Sequence, residues 1–287
     1  MTLYFRGMNR RGGEVQTVDY NIAELFTFPG GEVHLRKLKA ERYDVLVADL
    51  RGADPQELIG LGLFEDAFAM NFPRMVALIP YLPAARSDRG FPCGGSVYSR
   101  ILNSFKFDRV IALDPHSEYI TNQVNNLVVA DVKPLIMRAL RESATYSIDN
   151  TAGVIAPDKG ARKRAEAMAE VLGVPVYQAW KKRDEETGKL TGFGCEDLPD
   201  TDDGIFLVVD DICDGGGTFM GLAESTGLDR EQLALWVTHG IFSGSAPLLN
   251  KHYGHIFTTD SHPGHNRDSV ATTIVPTEPY LTKRIGV

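Results

Sequence analysis

The chain has few cysteines, no long apolar segment and a deficit of positive charge. Three of its 287 residues are cysteines, and they stand far apart at Cys93, Cys195 and Cys213. A scattered, odd-numbered set predicts free thiols in a reducing compartment. No apolar run approaches the roughly 18 residues of a membrane-spanning helix. The N-terminal stretch MTLYFRGMNRRGG lacks the apolar core of a secretory signal. We therefore expect a soluble, cytoplasmic protein with no membrane partner.

Acidic residues outnumber basic ones by 38 to 30, which gives a formal net charge of −8. A general nucleic-acid-binding protein needs a basic face, so this balance argues against nucleic acid as a partner. The sequence also shows no internal repeat and no low-complexity segment. With 43% hydrophobic residues, the chain can bury one large core or two modest ones.

Short β-branched segments alternate with segments of helical spacing. The predicted strands are 44–50, 74–80, 109–114, 153–158, 205–211 and 233–239, and the predicted helices are 55–70, 96–106, 132–146, 160–172 and 217–226. Near-continuous apolar strands that alternate with helices imply parallel sheets covered on both faces. The polar segment SATYSIDNTAG interrupts the pattern, which then restarts. We therefore predict two α/β domains, 1–147 and 148–287, with a proline-containing tail that could return to the first.

Several predicted strands end in polar clusters. These clusters are IPYLPAARSDRG, LDPHSEY, APDKGARKR, VVDDICDGGGT and THGIFSGSA. In open parallel sheets, ligands bind beyond the carboxyl ends of the strands. The five loops therefore predict a binding cleft with charged walls.

The segment IFLVVDDICDGGGTF (205–219) combines paired carboxylates with three consecutive glycines. Asp210 and Asp211 stand where the predicted strand ends, so at least one can point into the cleft. Gly215–Gly217 permit positive φ and let backbone N–H groups approach an anion. Thr218 would stand at a helix start, where free N–H groups favour phosphate. These features predict a ribose-phosphate site; the simpler alternative is a glycine-rich turn whose aspartates cap the helix.

VVDDICDGGGT resembles the ribose-phosphate loop of type I phosphoribosyltransferases and of the related ribose-phosphate pyrophosphokinases. Five further segments resemble the pyrophosphokinase family and occur in family order: FPGGEVHLR, IPYLPAARSDRG, LDPHSEYI, APDKGARKRA and THGIFSGSA. The chain is therefore identified as a member of that family, similar to divergent members from bacteriophages. The resemblance implies two phosphoribosyltransferase-like domains, each a mostly parallel sheet flanked by helices, with ATP bound on the N-terminal side and ribose phosphate on the C-terminal side.

The resemblance implies transfer of the diphosphoryl group of ATP to the anomeric hydroxyl of ribose 5-phosphate, giving phosphoribosyl diphosphate and AMP. Such a reaction depends on positioning and charge neutralisation, and oxygen ligands suit Mg²⁺. The resemblance assigns His116 and Asp158 to Mg²⁺ or its waters. The alternatives are a hydrogen-bonded structural histidine and a helix-capping aspartate with salt bridges.

The resemblance also assigns ATP contacts. Phe28 and Glu32 would hold adenine, Arg86 and Asp88 would contact ATP, and His116 would lie beside it. Without a fold context, the Arg-Ser-Asp-Arg stretch is an ordinary charged loop. In the family the segment that contains Phe28 reaches a neighbouring subunit's active site, so a homodimer or higher homo-oligomer is implied.

A Lys-x-Arg pair in WKKRDEETGK matches the family's mobile catalytic loop. The resemblance assigns catalysis to Lys181 and Arg183, with Lys182 as the register alternative. A well-placed cation stabilises developing phosphoryl charge by about 3–4 kcal/mol, whereas the simpler alternative is a solvated charged hairpin. The implied ribose-phosphate contacts are Asp210, Asp211, Asp214, Gly215, Gly216, Gly217 and Thr218.

The chain departs from the family pattern at several positions. Gly215 and Gly216 replace a threonine and an alanine of the usual Asp-Thr-Ala-Gly-Thr, Gly30 replaces Asn or Asp, and Ser87 replaces Gln. The chain is short for the family, and its end shows no clear terminal helix. An active enzyme is expected because the residues assigned to Mg²⁺ and to ribose phosphate are retained, as is the cationic clamp, the pair Lys181 and Arg183 that would close on the transferring phosphoryl group.

Three alternatives for function stay open. A roomier 5′ pocket would admit a larger acceptor, and some divergent members act on ADP-ribose, forming its 1-diphosphate for NAD synthesis. A phosphoribosyltransferase would use the same Asp-Asp-Gly-rich loop. A catalytically silent partner of an active synthetase is the third alternative.

Overall fold

The computed structural model describes residues 3–39, 42–69, 74–183, 190–201 and 204–286, with backbone alone for 182–183 and 190–191. Two compact units are present. The first comprises Met1–Asp131, Ser261–Pro263 and Pro276–Val287, and the second comprises Val132–Asp260 and Gly264–Val275. None of the helices in the described ranges is both long and apolar enough to cross a membrane.

The first unit is built on a six-stranded sheet with the order β2-β1-β5-β6-β7-β8. Its strands are β1 Leu3–Arg11, β2 Glu14–Tyr20, β5 Val45–Leu50, β6 Met75–Leu78, β7 Arg109–Leu113 and β8 Leu127–Ala130. Strands β5 to β8 run parallel, while β1 and β2 add an antiparallel edge. Every residue of β5 is buried, as expected for a central strand covered on both faces.

The helices of the first unit are α1 Pro55–Phe68, α2 Gly94–Ser104, α3 Glu118–Gln123 and α7 Glu278–Ile285. A separate hairpin joins β3 Ala23–Thr27 to β4 Val33–Lys37. Helix α1 begins after Asp54, whose carboxylate accepts the Gln56 N–H at 2.8 Å, while Pro55 occupies the first turn. This arrangement satisfies an N–H group that the helix itself cannot pair.

The expectation that the chain lacks a terminal helix is wrong, because α7 covers Glu278–Ile285. Pro279 stands in its first turn and basic residues stand in its last turn, both of which favour a helix. Leu281 and Ile285, one helical turn apart, are fully buried. The two prolines and the short apolar pattern concealed this helix from sequence reasoning.

Buried ion pairs hold the C-terminal segment on the sheet of the first unit. Asp49 accepts from Arg6 Nη2 at 2.7 Å and from Arg51 Nε at 2.6 Å. Arg6 also pairs with Glu278, and Arg51 Nη1 donates to Thr277 Oγ1 at 2.7 Å. The two arginines therefore connect β1 and β5 to the start of α7.

The second unit has a seven-stranded sheet with the order β11-β10-β9-β12-β13-β14-β15. Its strands are β9 Thr151–Ala156, β10 Val176–Arg183, β11 Leu190–Cys195, β12 Ile205–Cys213, β13 Leu233–Gly240, β14 His255–Thr259 and β15 Thr273–Val275. The pairing is parallel from β10 to β15, and β11 pairs antiparallel with β10. Its helices are α4 Lys133–Glu142, α5 Arg162–Leu172 and α6 Gly217–Thr226. The predicted α/β class, with parallel sheets flanked by helices, is confirmed.

The units divide sixteen residues before the predicted boundary at 147, at Asp131. Helix α4 contacts β15, so it belongs with the second sheet. The polar segment that suggested the boundary leads into β9 instead. Pro276–Val287 is part of the first unit.

Candidate active site

The paired aspartates lie within β12, two residues before its end at Cys213. Asp210 Oδ1 accepts the Asp211 N–H at 2.9 Å, and Asp211 Oδ1 accepts the Ile212 N–H at 2.7 Å. The sequence placed both at the strand end, but β12 continues in register with β13 through Cys213. Each carboxylate is therefore fixed by the backbone amide that follows it.

Arg164 of α5 lies against both aspartates. Its Nη1 is 3.4 Å from Asp210 Oδ1, and its Nη2 is 3.4 Å from Asp211 Oδ2. Sequence reasoning missed this residue. The signal was the basic run ARKR after the Pro-Asp-x-Gly segment, but which of three basic side chains faces the sheet depends on where α5 begins.

The pKa of Asp210 is raised well above its ordinary value. Burial is the main cause, and the charge of Asp211 adds to it. The Arg164 guanidinium opposes the rise, as does the hydrogen bond from the Asp211 N–H. Two carboxylates side by side in a buried place resist joint ionisation unless a cation compensates.

The glycine turn leads from β12 into α6. Gly216 has φ +80° and is the N-cap residue of the helix, a conformation that favours glycine. A Cβ at Gly216 would lie 3.1 Å from Leu249 Cγ, whereas a Cβ at Gly217 would meet no atom within 4 Å. The predicted helix start is confirmed, with Thr218 as the second residue of α6. Positive φ is needed at one of the three glycines.

The loop after β13 closes the turn from the other side. Ser243 Oγ donates to Asp214 Oδ1 at 2.5 Å, and the Ser243 N–H donates to the Asp214 carbonyl at 3.0 Å. The N–H groups of Ile241 and Phe242 both donate to the Cys213 carbonyl. The segment THGIFSGSA therefore holds Asp214 in place, a role that the sequence did not reveal.

Asp158 lies between β9 and α5 and carries two kinds of contact. Its Oδ1 accepts N–H groups of Gly160 at 2.9 Å and Ala161 at 3.2 Å, and its Oδ2 accepts Lys181 Nζ at 2.7 Å. Burial alone would raise the pKa of Asp158, but Lys181 and the two N–H groups together lower it. Asp158 is thus ionised and paired with Lys181, but it does not cap α5, whose N-cap residue Ala161 receives no side-chain hydrogen bond.

The structure describes the side chain of Lys181 in the predicted cationic clamp, but not that of Arg183. Lys181 lies in β10 and is half-buried. Lys182 and Arg183 belong to the same strand by their backbone, but their side chains fall outside the described part of the structure, as do residues 184–189.

The residues assigned to ATP belong to the first unit. Arg86 and Asp88 follow β6, and His116 follows β7; Arg86 and His116 are exposed. Both segments leave the carboxyl ends of parallel strands, where ligands bind in such sheets.

Phe28 lies at the tip of the β3–β4 hairpin and is 46% exposed. Its ring stacks on His34 at a centroid distance of 6.0 Å and meets Phe26 edge-on at 4.9 Å. A Cβ at Gly30 would lie 2.6 Å from Glu32 Oε2, so the glycine makes room for the Glu32 carboxylate. The hairpin therefore presents an aromatic face and a carboxylate together.

Carboxylates rather than nitrogen or sulfur ligands dominate the second unit's site. Within the ranges that the structure describes, no group of three or more His, Cys, Asp or Glu residues could hold a metal ion by itself. Mg²⁺ commonly binds through one or two carboxylates, with substrate phosphates and water completing its shell. Asp158 fits that pattern, and the predicted partner His116 lies in the first unit.

Residues 122–224 match the family model "Phosphoribosyl transferase domain". A ribose-phosphate pyrophosphokinase of Sulfolobus acidocaldarius is 30% identical over 276 residues, covering 90% of this chain and 89% of the relative. The chain belongs to the ribose-phosphate pyrophosphokinase family. A second member, from Sulfurisphaera tokodaii, is 26% identical over 97% of both chains.

The pyrophosphokinase fold is also seen in a solved structure. The phosphoribosylpyrophosphate synthetase of Mycobacterium smegmatis matches 92% of this chain and 88% of its own, with a TM-score of 0.74 and 23% identity. This chain therefore has two phosphoribosyltransferase-like units. As a member of the ribose-phosphate pyrophosphokinase family, it is an enzyme.

Proposed function

We propose that this enzyme transfers the diphosphoryl group of ATP to the anomeric hydroxyl of ribose 5-phosphate, releasing AMP. The observation that carries the proposal is the pair Asp210 and Asp211 next to the Gly216 turn that opens α6. Carboxylates accept hydrogen bonds from sugar hydroxyls, and a helix N-terminus binds phosphate. The family relationship supports the same acceptor, because its members are named ribose-phosphate pyrophosphokinases.

In this proposal the C-terminal unit binds the acceptor. The 5′-phosphate lies on the N–H groups of the turn formed by Gly215–Gly217 and Thr218, and the ribose hydroxyls donate to the aspartates. Asp214, held by Ser243, orients the turn. The acceptor is thereby fixed at both ends, which reduces the entropy that the reaction must otherwise lose.

ATP is bound by residues of the N-terminal unit. Arg86 contacts its phosphates, Asp88 and His116 lie beside them, and Phe28 stacks on adenine while Glu32 accepts a hydrogen bond from it. The exposed Phe28 ring is suited to stacking, since every base offers a π-face. We also propose that the hairpin completes a site in a second subunit of a homo-oligomer.

The acceptor hydroxyl attacks the β-phosphorus of ATP, and the bond from that phosphorus to the α-phosphate oxygen breaks, so that AMP leaves and the hydroxyl proton passes to water. Lys181 and Arg183 stabilise the charge on the phosphoryl oxygens, which is the main demand of phosphoryl transfer. Asp158 and His116 would hold Mg²⁺ or its waters. When bound, Mg²⁺ would neutralise charge on the phosphates.

Free cysteines support the proposed location in a reducing cytoplasm. Cys93, Cys195 and Cys213 are all free. Cys213 is buried within the ribose loop, and burial, with the charges of Asp210 and Asp214, raises its pKa to about 12. A thiol with this pKa stays protonated and serves as core.

ADP-ribose is the second candidate acceptor, with its 1-diphosphate as the product. The observation that favours it is the open space beside Gly217, where an added Cβ would meet no atom within 4 Å. A substituent on the 5′-phosphate requires such space. The chemistry at the anomeric hydroxyl is the same for both acceptors.

The test is incubation of the full chain with ATP and Mg²⁺, offering ribose 5-phosphate and ADP-ribose in separate reactions, with products identified by mass. AMP and the 1-diphosphate of ribose 5-phosphate support the main proposal, and AMP with diphosphorylated ADP-ribose supports the second. ADP as the nucleotide product contradicts diphosphoryl transfer. No turnover with either acceptor favours a catalytically silent partner, and base-dependent consumption of phosphoribosyl diphosphate favours a phosphoribosyltransferase.

A further inference from the structure

One guanidinium connects the two carboxylates of the proposed acceptor site. The side chains of Arg164, Asp210 and Asp211 are 16%, 15% and 6% exposed. Arg164 Nη1 lies 3.4 Å from Asp210 and Nη2 lies 3.4 Å from Asp211. The two nitrogens thus divide between two residues, rather than forming a fork on one carboxylate.

The contacts of Asp210 and Asp211 fix how the two carboxylates are turned. Asp210 Oδ1 receives the Asp211 N–H and Arg164, so its Oδ2 stands outside these bonds. Asp211 receives the Ile212 N–H on Oδ1 and Arg164 on Oδ2. The guanidinium therefore sets the rotation of each carboxylate as well as compensating its charge.

We propose that Arg164 is a positioning residue of the acceptor site, which holds the carboxylates of Asp210 and Asp211 turned to accept the hydroxyls of the sugar. The inference rests on the proposed function, because it takes a ribosyl phosphate as the ligand. Arg164 acts through the aspartates rather than on the reacting atoms.

The electrostatics of the pair require such a residue. Asp210 is mostly buried and adjoins Asp211 on its own strand, and the charges of Asp211 and of Asp158 from the β9–α5 loop both favour its protonated form. Arg164 from α5 opposes the resulting rise in the pKa of Asp210, and the Cys213 thiol on the same strand is neutral because burial raises its pKa. Loss of the guanidinium would therefore favour a proton on the pair.

Arg162 supplies a matched control on the same helix. Its Nε pairs with Glu166 Oε1 at 2.7 Å in an i,i+4 pair at the surface. R162M removes the same charge from α5 at a position two residues from Arg164, and the ion pair that it breaks is with Glu166.

The first measurement is independent of any ligand. NMR follows the ¹³C signals of the aspartate carboxyl groups from pH 5 to pH 9 in four full-length proteins: wild type, R164M, R164K and R162M. The variants D210N and D211N serve to assign the signals. We expect R164M to raise the titration of the Asp210–Asp211 pair by about one pKa unit or more, and R162M to leave it unchanged. An unshifted titration in R164M overturns the inference.

The second measurement is calorimetric binding of ribose 5-phosphate to the same proteins without ATP. For R164M we expect about tenfold weaker binding at pH 7, the equivalent of one pKa unit, and recovery as the pH rises because the carboxylates ionise again. R164K should give an intermediate loss, since one ammonium keeps the charge but cannot place two nitrogens against two carboxylates as the guanidinium does. A loss that is equal at every pH would indicate a purely structural role and would overturn the inference.

The two outcomes separate the inference from the proposed function. If the wild type binds neither ribose 5-phosphate nor ADP-ribose, the proposed function fails, and with it the part of the inference that concerns the sugar. If the wild type binds but R164M titrates and binds as the wild type does, the role of Arg164 alone is refuted. Should R164M not fold, R164K carries the test, because it keeps the charge but loses the second nitrogen, and wild-type binding by R164K then overturns the inference.

Discussion

Lys181 Nζ lies 2.7 Å from Asp158 Oδ2, in the second unit. The pair joins a residue assigned to phosphoryl transfer with a residue assigned to Mg²⁺. Each is the other's counter-ion. A cation bound by Asp158 and a phosphate bound by Lys181 would both compete with this ion pair.

We expect K181A to reduce turnover by about 10²–10³-fold, the range for loss of one well-placed donor to transition-state charge. ATP binding should be nearly unchanged, because the proposed role is specific to the transferring group. Steady-state kinetics and a separate ATP-binding titration measure the two effects. K251A, which changes an exposed lysine, is the control, and turnover of K181A within a few-fold of wild type would refute the clamp.

We expect D158N to lower thermal stability at pH 7. Burial alone would raise the pKa of Asp158, but Lys181 and two N–H groups outweigh burial and hold this pKa below its ordinary value of 3.8. The ionised form therefore stabilises the fold above pH 3.8, and this stabilisation is lost as the pH falls through the lowered pKa. Thermal melts of wild type and D158N should differ at neutral pH and converge in acid; a difference that persists in acid would contradict this account.

Gly216 and Gly217 should respond differently to alanine. G216A places a Cβ at φ +80° and 3.1 Å from Leu249, which we expect to cost about 1–2 kcal/mol of stability from the backbone conformation alone. G217A meets no atom within 4 Å and should leave stability nearly unchanged. Urea unfolding of both variants measures the contrast, and equal stability of the two would show that Gly216 is not required by its conformation.

F28A should weaken ATP binding without affecting the fold. The ring is 46% exposed, so its removal leaves no cavity, while a lost base stack costs about 1–3 kcal/mol. ATP titrations of F28A and F28Y give the measurement, with F28Y expected to retain binding. Y20A, which removes a 60% exposed aromatic ring from β2, is the matched control; an equal loss in Y20A would argue against a stack on Phe28.

Cys213 should resist alkylation in the native protein. The thiol is fully buried, and burial with nearby carboxylates raises its pKa to about 12. Burial raises the pKa of Cys195 to about 11. Mass spectrometry after iodoacetamide treatment at pH 8 should show modification of the partly exposed Cys93 before the other two, and full modification of Cys213 only after unfolding. Rapid native labelling of Cys213 would mean that the ribose loop opens.

Local pattern was sufficient for six of the parallel strands, β5, β6, β7, β9, β12 and β13, and for the glycine turn. The apolar segments that become β5, β12 and β13 are buried almost throughout. A strand that is buried on both faces requires a nearly continuous run of apolar residues, and such a run is visible in the sequence. The parallel strands β8, β10, β14 and β15 were not predicted, and neither were the β3–β4 hairpin and helix α3. The antiparallel elements β1, β2 and β11 and the helix α7 were also not predicted. Their mixed polarity is typical of sheet edges and surface helices, where composition constrains structure less.

The amino-acid sequence by itself determined the α/β class, the order of the loops and the chemistry of the Asp-Asp-Gly segment, because each depends on residues that are close along the chain. Tertiary structure alone decided that Arg164 faces Asp210, that Lys181 rests on Asp158 and that Arg6 reaches Glu278. These partners are 46, 23 and 272 residues apart. A pairing at such separation depends on how helices and strands pack. The sequence contains many arginines and lysines that could pair with each carboxylate, and only the packing determines which of them does.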